Sequence, residues 1–341
     1  MESIVLGFGE LLLRLSTQGN KLLVQSDSLA MHYGGAEANV CVSLSNFGIP
    51  TRYITKLPNN PIGIGGILNL NKYGVDTSSI LLGEGRIGSY FLEQGAGDRG
   101  ASVIYDRNDS LYSNLTAEEI NWDAAFDGVG TLVLSGICPA VSATGAKTSL
   151  AVIKEAKKRN IQVVFDLNIR EKLWKWGKEA SEVLPDFLHH VDVLVGNEMH
   201  IKQLFKLIIP TEDEPEAWYY NKLATEILAQ FPTIKKIAIT SRRTYSATST
   251  GFRAAFYDGK DIFLSKRLVS PQVVDRVGSG DAFTAGLIYG LLAFPNHLQK
   301  VIDFGSASAF LKHSIVGDFN QVSAQTVESF INNQEQTALS R

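Results

Sequence analysis

Apolar residues along the chain fall into two rhythms. Short β-branched and aliphatic runs have the length of strands: Thr131 to Gly136 (TLVLSG), Ile161 to Asn168 (IQVVFDLN), Val191 to Asn197 (VDVLVGN) and Ile234 to Thr240 (IKKIAIT). Between them lie stretches with helical spacing, among them GAKTSLAVIKEAKKRN and AWYYNKLATEILAQF. This alternation predicts a mostly parallel sheet covered by helices. Two regions break the alternation. Around Leu12 to Tyr33 and Arg86 to Tyr105 the pattern is strand-like with glycine turns and no intervening helix, as expected of one small β appendage on the edge of the sheet. A late hairpin is predicted at AAFYDGKDIFLSKRL, turning at Asp258-Gly259, and Pro210 to Ala217 reads as a solvated loop before a helix. The opening MESIVLGFGELLLRLS carries no basic leader and reads as a first strand.

With 341 residues, the chain suits one large α/β domain with a small appendage. It has 32 Lys+Arg against 35 Asp+Glu, so nothing suggests a polyanion-binding surface, and no nucleic-acid partner is expected. No apolar run approaches the roughly 20 residues a membrane helix needs, so the expectation is a cytoplasmic protein without a membrane partner. Cys41 and Cys138 lack CxxC spacing and read as free buried thiols in a reducing compartment. No HExxH or Cys/His cluster is present, and His189-His190 reads as the end of a helix.

Ligands of open parallel sheets gather at the carboxyl ends of the strands. One strand delivers Asp166, Asn168 and Arg170 at alternate positions, on one side if the extended geometry persists; the next delivers Asn197 and Glu198. Such groups suit a polar anionic ligand and a hard cation bound through oxygen, or they cap the following helices. Gly34-Gly35, ahead of a helix of small residues, allow close ligand approach or form a tight turn; neither they nor GFGELL (Gly7 to Leu12) match GxGxxG. In VVDRVGSGDAFTAGLIYGLL, Gly278-Ser279-Gly280 set Asp281 where an apolar helical run begins. A helix N-terminus attracts anions, so this carboxylate is either the cap or part of a site.

The segments GGAEANVCVSLSNFG, LPNNPIG, NKYGVDTSSI and above all DRVGSGDAFTAG resemble the ribokinase-like (PfkB) carbohydrate kinases, in order over nearly the whole chain. Within that family YDRNDSLYSNL, LSGICPAVS, FDLNIREKLW and KHSIVGDFN are similar to 2-keto-3-deoxygluconate kinases. The resemblance implies a three-layer αβα core of residues 1–11, 34–85 and 108–341, with a β-sheet lid of residues 12–33 and 86–107. It implies phosphorylation of the C6 hydroxyl of 2-keto-3-deoxygluconate by ATP with Mg²⁺. Asp281 would be the general base, and the amides of Gly278, Ser279 and Gly280 would receive the developing anion. Gly278 and Gly280 would also keep a Cβ out of the phosphate's path. Gly34, Gly35, Tyr90, Tyr105, Arg107, Asn168 and Arg170 would surround the sugar, with Arg107 and Arg170 as an unpaired clamp for its carboxylate. Asn197, Thr240, Gly278 and Gly280 would contact the nucleotide, and Glu198 would support Mg²⁺ through water. A homo-oligomer through the lid is expected.

One departure stands out. After the strand ending at Thr240, relatives often carry a glycine pair near the nucleotide phosphates, whereas this chain reads TSRRTYSATS. Arg242 or Arg243 either compensates with positive charge or belongs to a solvated loop. Two other readings therefore stay open: a kinase of another small sugar or nucleoside such as fructose or ribose, and a catalytically silent sugar-binding protein on the same fold.

Overall fold

A computed structural model describes residues 3–209 and 214–339. Its central sheet runs, in spatial order, through Ile262–Leu264, Thr250–Tyr257, Lys236–Thr244, Val193–Asn197, Gln162–Asp166, Val129–Ser135, Ile4–Phe8 and Thr51–Ile54, with Leu268–Ser270 paired to Thr250–Tyr257. From Lys236–Thr244 to Thr51–Ile54 every pairing is parallel; the hairpin strands beyond are antiparallel.

Because successive side chains leave a strand on opposite faces, the sheet feeds two cores. Leu132, Leu134, Val163, Phe165, Leu194, Ile237 and Ile239 pack on one face against the helices Ala143–Lys158, Ala180–Leu188 and Glu216–Gln230. Val133, Val164, Val193, Val195 and Ala238 pack on the other against the helices Ala36–Asn46, Ser279–Ala293 and Leu298–Lys312. Each such buried aliphatic side chain contributes about 1.5–3 kcal/mol. The result is a three-layer αβα arrangement around a mostly parallel sheet.

A second sheet orders Ala30–Gly34, Leu12–Ser16, Ser89–Glu93 and Ser102–Asp106. Its Leu12, Tyr90 and Leu92 pack with Tyr105 and Val277. The turn of the late hairpin joins Tyr257 to Ile262 through Asp258–Gly259, with Gly259 at φ +107. The helix Ala180–Leu188 stops just before His189. Cys41 and Cys138 are free and buried. Of the expected Pro210 to Ala217 loop, residues 210–213 lie outside the described residues, and a helix begins at Glu216. Among the described residues no helix is long and apolar enough to cross a membrane.

Two local expectations change. The strand through Thr240 does not end there; it continues to Thr244 because Ser241–Thr244 find partners in Thr250–Arg253. The strand carrying Asp166 does end there, and Asn168 takes φ +28, so the alternate spacing of Asp166, Asn168 and Arg170 is bent rather than extended.

Candidate active site

A cleft of about 800 Å³ opens at the carboxyl ends of the parallel strands, with Leu12, Tyr90 and Tyr105 of the small sheet among its walls. Asp281, third residue of the helix Ser279–Ala293 and only 8% exposed, lies at its floor. Its Oδ2 accepts a hydrogen bond from Asn39 Nδ2 at 2.6 Å, and Asn39 Oδ1 accepts one from the Gly35 N–H at 3.3 Å. Burial pushes the Asp281 carboxyl up to about 7; the Asn39 hydrogen bond opposes that rise and the neighbouring Asp166 adds to it. Asp166 is itself pushed up to about 6 by burial, against hydrogen bonds from the Asn168 N–H at 3.1 Å and the Thr284 hydroxyl at 3.2 Å. One cleft thus holds two acids whose carboxyls burial raises toward neutrality.

The two glycines before Asp281 have different reasons. Gly278 has φ +81, and a Cβ there would come within 2.0 Å of the Asp318 carbonyl oxygen, so the chain's own packing demands glycine. At Gly280 a Cβ would meet nothing within 4 Å, which leaves the cleft floor open at that point. Gly278 is thus required by conformation and packing, whereas nothing in the chain's own packing requires glycine at Gly280.

On the substrate side, Gly35, Tyr90, Tyr105, Arg107, Asn168 and Arg170 all line the cleft; Gly34 does not. A Cβ on Gly34 would sit 2.2 Å from Asp318 Oδ2, so this glycine makes room for that carboxylate. Arg107 also departs from the expectation of an unpaired clamp. Its Nε and Nη2 both reach Glu10 Oε2, at 2.7 and 2.6 Å, and both side chains are buried. A guanidinium buried that deeply needs a counter-ion inside the chain, and Glu10 supplies it. Arg170 stays exposed in the cleft without an ion-pair partner among the described residues. The Tyr90 hydroxyl donates to Asp318 Oδ2 at 2.5 Å, and its ring lies 6.3 Å from that of Tyr105.

The opposite wall contains Asn197, Glu198, Thr240, Arg242 and Arg276, beside Gly278 and Ser279. Asn197 caps the helix Glu198–Leu204 by accepting from the Met199 N–H at 2.9 Å. Glu198 accepts from the Tyr219 hydroxyl at 2.6 Å and from that of Tyr220 at 3.5 Å. Among the described residues no group of three or more metal-ligating side chains occurs. Mg²⁺ carried by phosphates needs only one or two carboxylates and keeps several waters, a demand that Glu198 and Asp166 on the same cleft fit.

Sequence reasoning gave no role to Asn39, Arg14 or Asp318. Asp318 lies within KHSIVGDFN, so a signal was present; Asn39 and Arg14 act across more than 240 residues, which no local pattern displays.

A family model described as pfkB family carbohydrate kinase matches residues 7–318. The chain is 29% identical over 328 residues to the 2-dehydro-3-deoxygalactonokinase of Haloferax volcanii, covering 96% of each. The structure of 2-dehydro-3-deoxygluconokinase from Thermotoga maritima superposes with a TM-score of 0.91 at 36% identity, over 97% of this chain and 99% of that one. A fructokinase with bound ATP from Xylella fastidiosa shares the fold with a TM-score of 0.79 at 21% identity, over 98% and 100% of the two chains.

Proposed function

The chain belongs to the pfkB family of carbohydrate kinases, and on that premise we propose that it phosphorylates the C6 hydroxyl of 2-keto-3-deoxygluconate with ATP, giving 2-keto-3-deoxy-6-phosphogluconate. The observation that carries this reading is Asp281. It is a buried carboxylate on the first turn of a helix, oriented by Asn39 with its pKa raised toward neutrality, facing a cleft that also contains the exposed guanidinium of Arg170, which has no ion-pair partner among the described residues.

In the proposed reaction the sugar's primary hydroxyl oxygen forms a bond to the γ-phosphorus, the bond from that phosphorus to the β,γ-bridging oxygen breaks, and ADP leaves. Asp281 accepts the hydroxyl proton as nucleophilicity is needed, a role suited to a group with a pKa close to the working pH. The N–H groups of Gly278, Ser279 and Gly280 at the helix start receive the spreading negative charge. Mg²⁺, when bound with ATP, neutralises phosphate charge. Glu198 and Asp166 are the side chains that would support it through water. Arg170 meets the sugar carboxylate, Tyr90 and Tyr105 present ring faces, and Asn168 supplies a polar contact. The small sheet acts as a lid that excludes water, and its outer face joins a second copy of the chain.

A coupled assay of ADP release with Mg-ATP, comparing 2-keto-3-deoxygluconate and its galactonate-derived epimer with fructose and ribose, tests the reading. Turnover restricted to the acids is expected. Preference for a neutral sugar would overturn the substrate assignment and leave a kinase. That second reading draws on the Arg107–Glu10 pair, which removes one of the two cations proposed to hold a carboxylate.

A further inference from the structure

The segment after Thr240 is a straight strand arm, paired from Thr240↔Ala254 to Thr244↔Thr250. Side-chain alternation turns Arg242 into the cleft and Arg243 away from it, where Arg243 sits 5.7 Å from the centre of the Tyr245 ring. Arg242 Nη2 donates to Ser279 Oγ at 2.7 Å. Ser279 is the first residue of the helix and Asp281 the third, so the guanidinium rests against a first helical turn whose N-terminus favours anions, although the Ser279 N–H itself donates to the Arg276 carbonyl at 3.3 Å.

No carboxylate pairs with Arg242 among the described residues; its hydrogen-bonding partner is a hydroxyl. Arg170 and Arg276 line the same cleft. Although much of Arg242's surface is accessible, its place between the cleft walls, and then the charges of Arg276 and Arg170, hold its guanidinium down to about 10. Asp166 and Asp281 attract Arg170, but Arg242 meets repulsion from Arg276 and Arg170 with no paired carboxylate among the described residues, and an arriving anion relieves that repulsion. The Ser279 hydroxyl fixes the fork but neutralises nothing, leaving the other N–H groups of Arg242 free for oxygen acceptors.

We propose that Arg242, aimed by Ser279, grips the phosphoryl group during transfer, doing with a side chain what a glycine-rich turn at this place would do with backbone amides. Charge spreads over the three equatorial oxygens as the phosphoryl leaves ADP, and the guanidinium meets it from the side opposite the small sheet. Arg242 gives up no proton; Asp281 takes the one released by the sugar. Ser279 is a positioning residue in this scheme. The inference rests on the kinase reading above and assigns to it a residue specific to this chain.

The test is steady-state kinetics of wild type, Arg242→Gln, Arg242→Lys, Ser279→Ala and Arg243→Gln, with thermal unfolding as a check on the fold. For Arg242→Gln we expect kcat to fall at least about 100-fold while KM for the sugar moves less than about threefold, because the contact strengthens only in transfer. Arg242→Lys should recover part of the loss through its charge, Ser279→Ala should cost about tenfold, and Arg243→Gln should match wild type. If Arg242→Gln does not fold, Ser279→Ala decides, and unchanged kcat in it overturns the proposal. Near-wild-type kcat in a folded Arg242→Gln, or equal losses in Arg242→Gln and Arg243→Gln, overturns it while leaving the kinase standing. A wild type that turns over no sugar sinks the kinase reading and this inference together.

Discussion

Behind the small-sheet wall of the cleft, Arg14 is wholly buried between Asp275 at 2.7 Å and Asp318 at 2.9 Å, and Arg107 is buried against Glu10. On the facing wall Arg242 has no ion-pair partner among the described residues, and Arg276 donates to the carbonyls of Ser246 and Ser249. The first wall has its charges neutralised before any ligand arrives. Such pairs set geometry: Asp275 also accepts from the Val277 and Gly317 N–H groups, and Asp318 from the Tyr90 hydroxyl, so Arg14 ties a strand of the small sheet to both loops beside the helix Ser279–Ala293. On the second wall the Arg242 guanidinium is held by a hydroxyl, which leaves its charge unneutralised. Arginines are buried and paired on one side and open to a ligand on the other, and burial with pairing, rather than residue type, tells them apart.

The sharpest way to break that contrast is Arg14→Met. Removing one member of a fully desolvated network leaves Asp275 and Asp318 as uncompensated buried charges, and we expect unfolding in urea to show a loss of about 3–5 kcal/mol. Arg242→Met, which removes a repelled and accessible cation, should leave the urea midpoint within error or raise it. Equal destabilisation by both would erase the distinction between the walls.

Next in size is Asp281→Asn, which keeps the hydrogen-bonding shape but not the base; kcat should drop by about 10²–10⁴-fold. In the wild type, kcat/KM should climb with pH, be half-maximal near pH 7, where burial has placed this carboxyl, and level off above it. A plateau already reached at pH 5 would show that another group governs the reaction. The same shift has a stability consequence. The folded-state value of about 7 lies above the ordinary 3.8, so the folded protein favours the neutral acid, and stability falls as pH rises from about 4 to about 7. Asp281→Asn should accordingly be neutral at pH 4 and raise Tm at pH 8.

Much of this arrangement was legible in the chain, for identifiable reasons. The strands feeding the cleft are continuous apolar runs because both of their faces are buried, and Gly278 to Asp281 show themselves because a helix start needs particular residues within four positions. Arg107 was misjudged because a sequence gives an arginine's presence and not its partner: Glu10 is 97 residues away. The strand arm to Thr244 was missed because Ser241 to Thr244 are polar and charged, and they stay extended only through pairing with Thr250–Arg253. That same unforeseen extension is what sorts Arg242 from Arg243, a choice the sequence left open.

The smallest expected effect concerns the outer face of the paired wall. Register places Met31 opposite Leu15, Leu15 beside Phe91 and Phe91 opposite Ile104, an apolar row across all four strands of the small sheet, with Met31 58% and Ile104 53% exposed. A row that spans a sheet from edge to edge on the face away from the cleft is what a second copy would cover. Met31→Lys with Ile104→Lys should therefore halve the mass seen by light scattering. Stability of the isolated chain should change by no more than about 0.5 kcal/mol, since neither side chain packs in a core. If the lid is braced by its partner, the monomer should also show a raised KM for the sugar with kcat nearly intact, because a looser lid weakens capture before it weakens transfer. A wild type that is already monomeric would make the row ordinary surface and confine the organising role of the small sheet to the Arg14 network inside it.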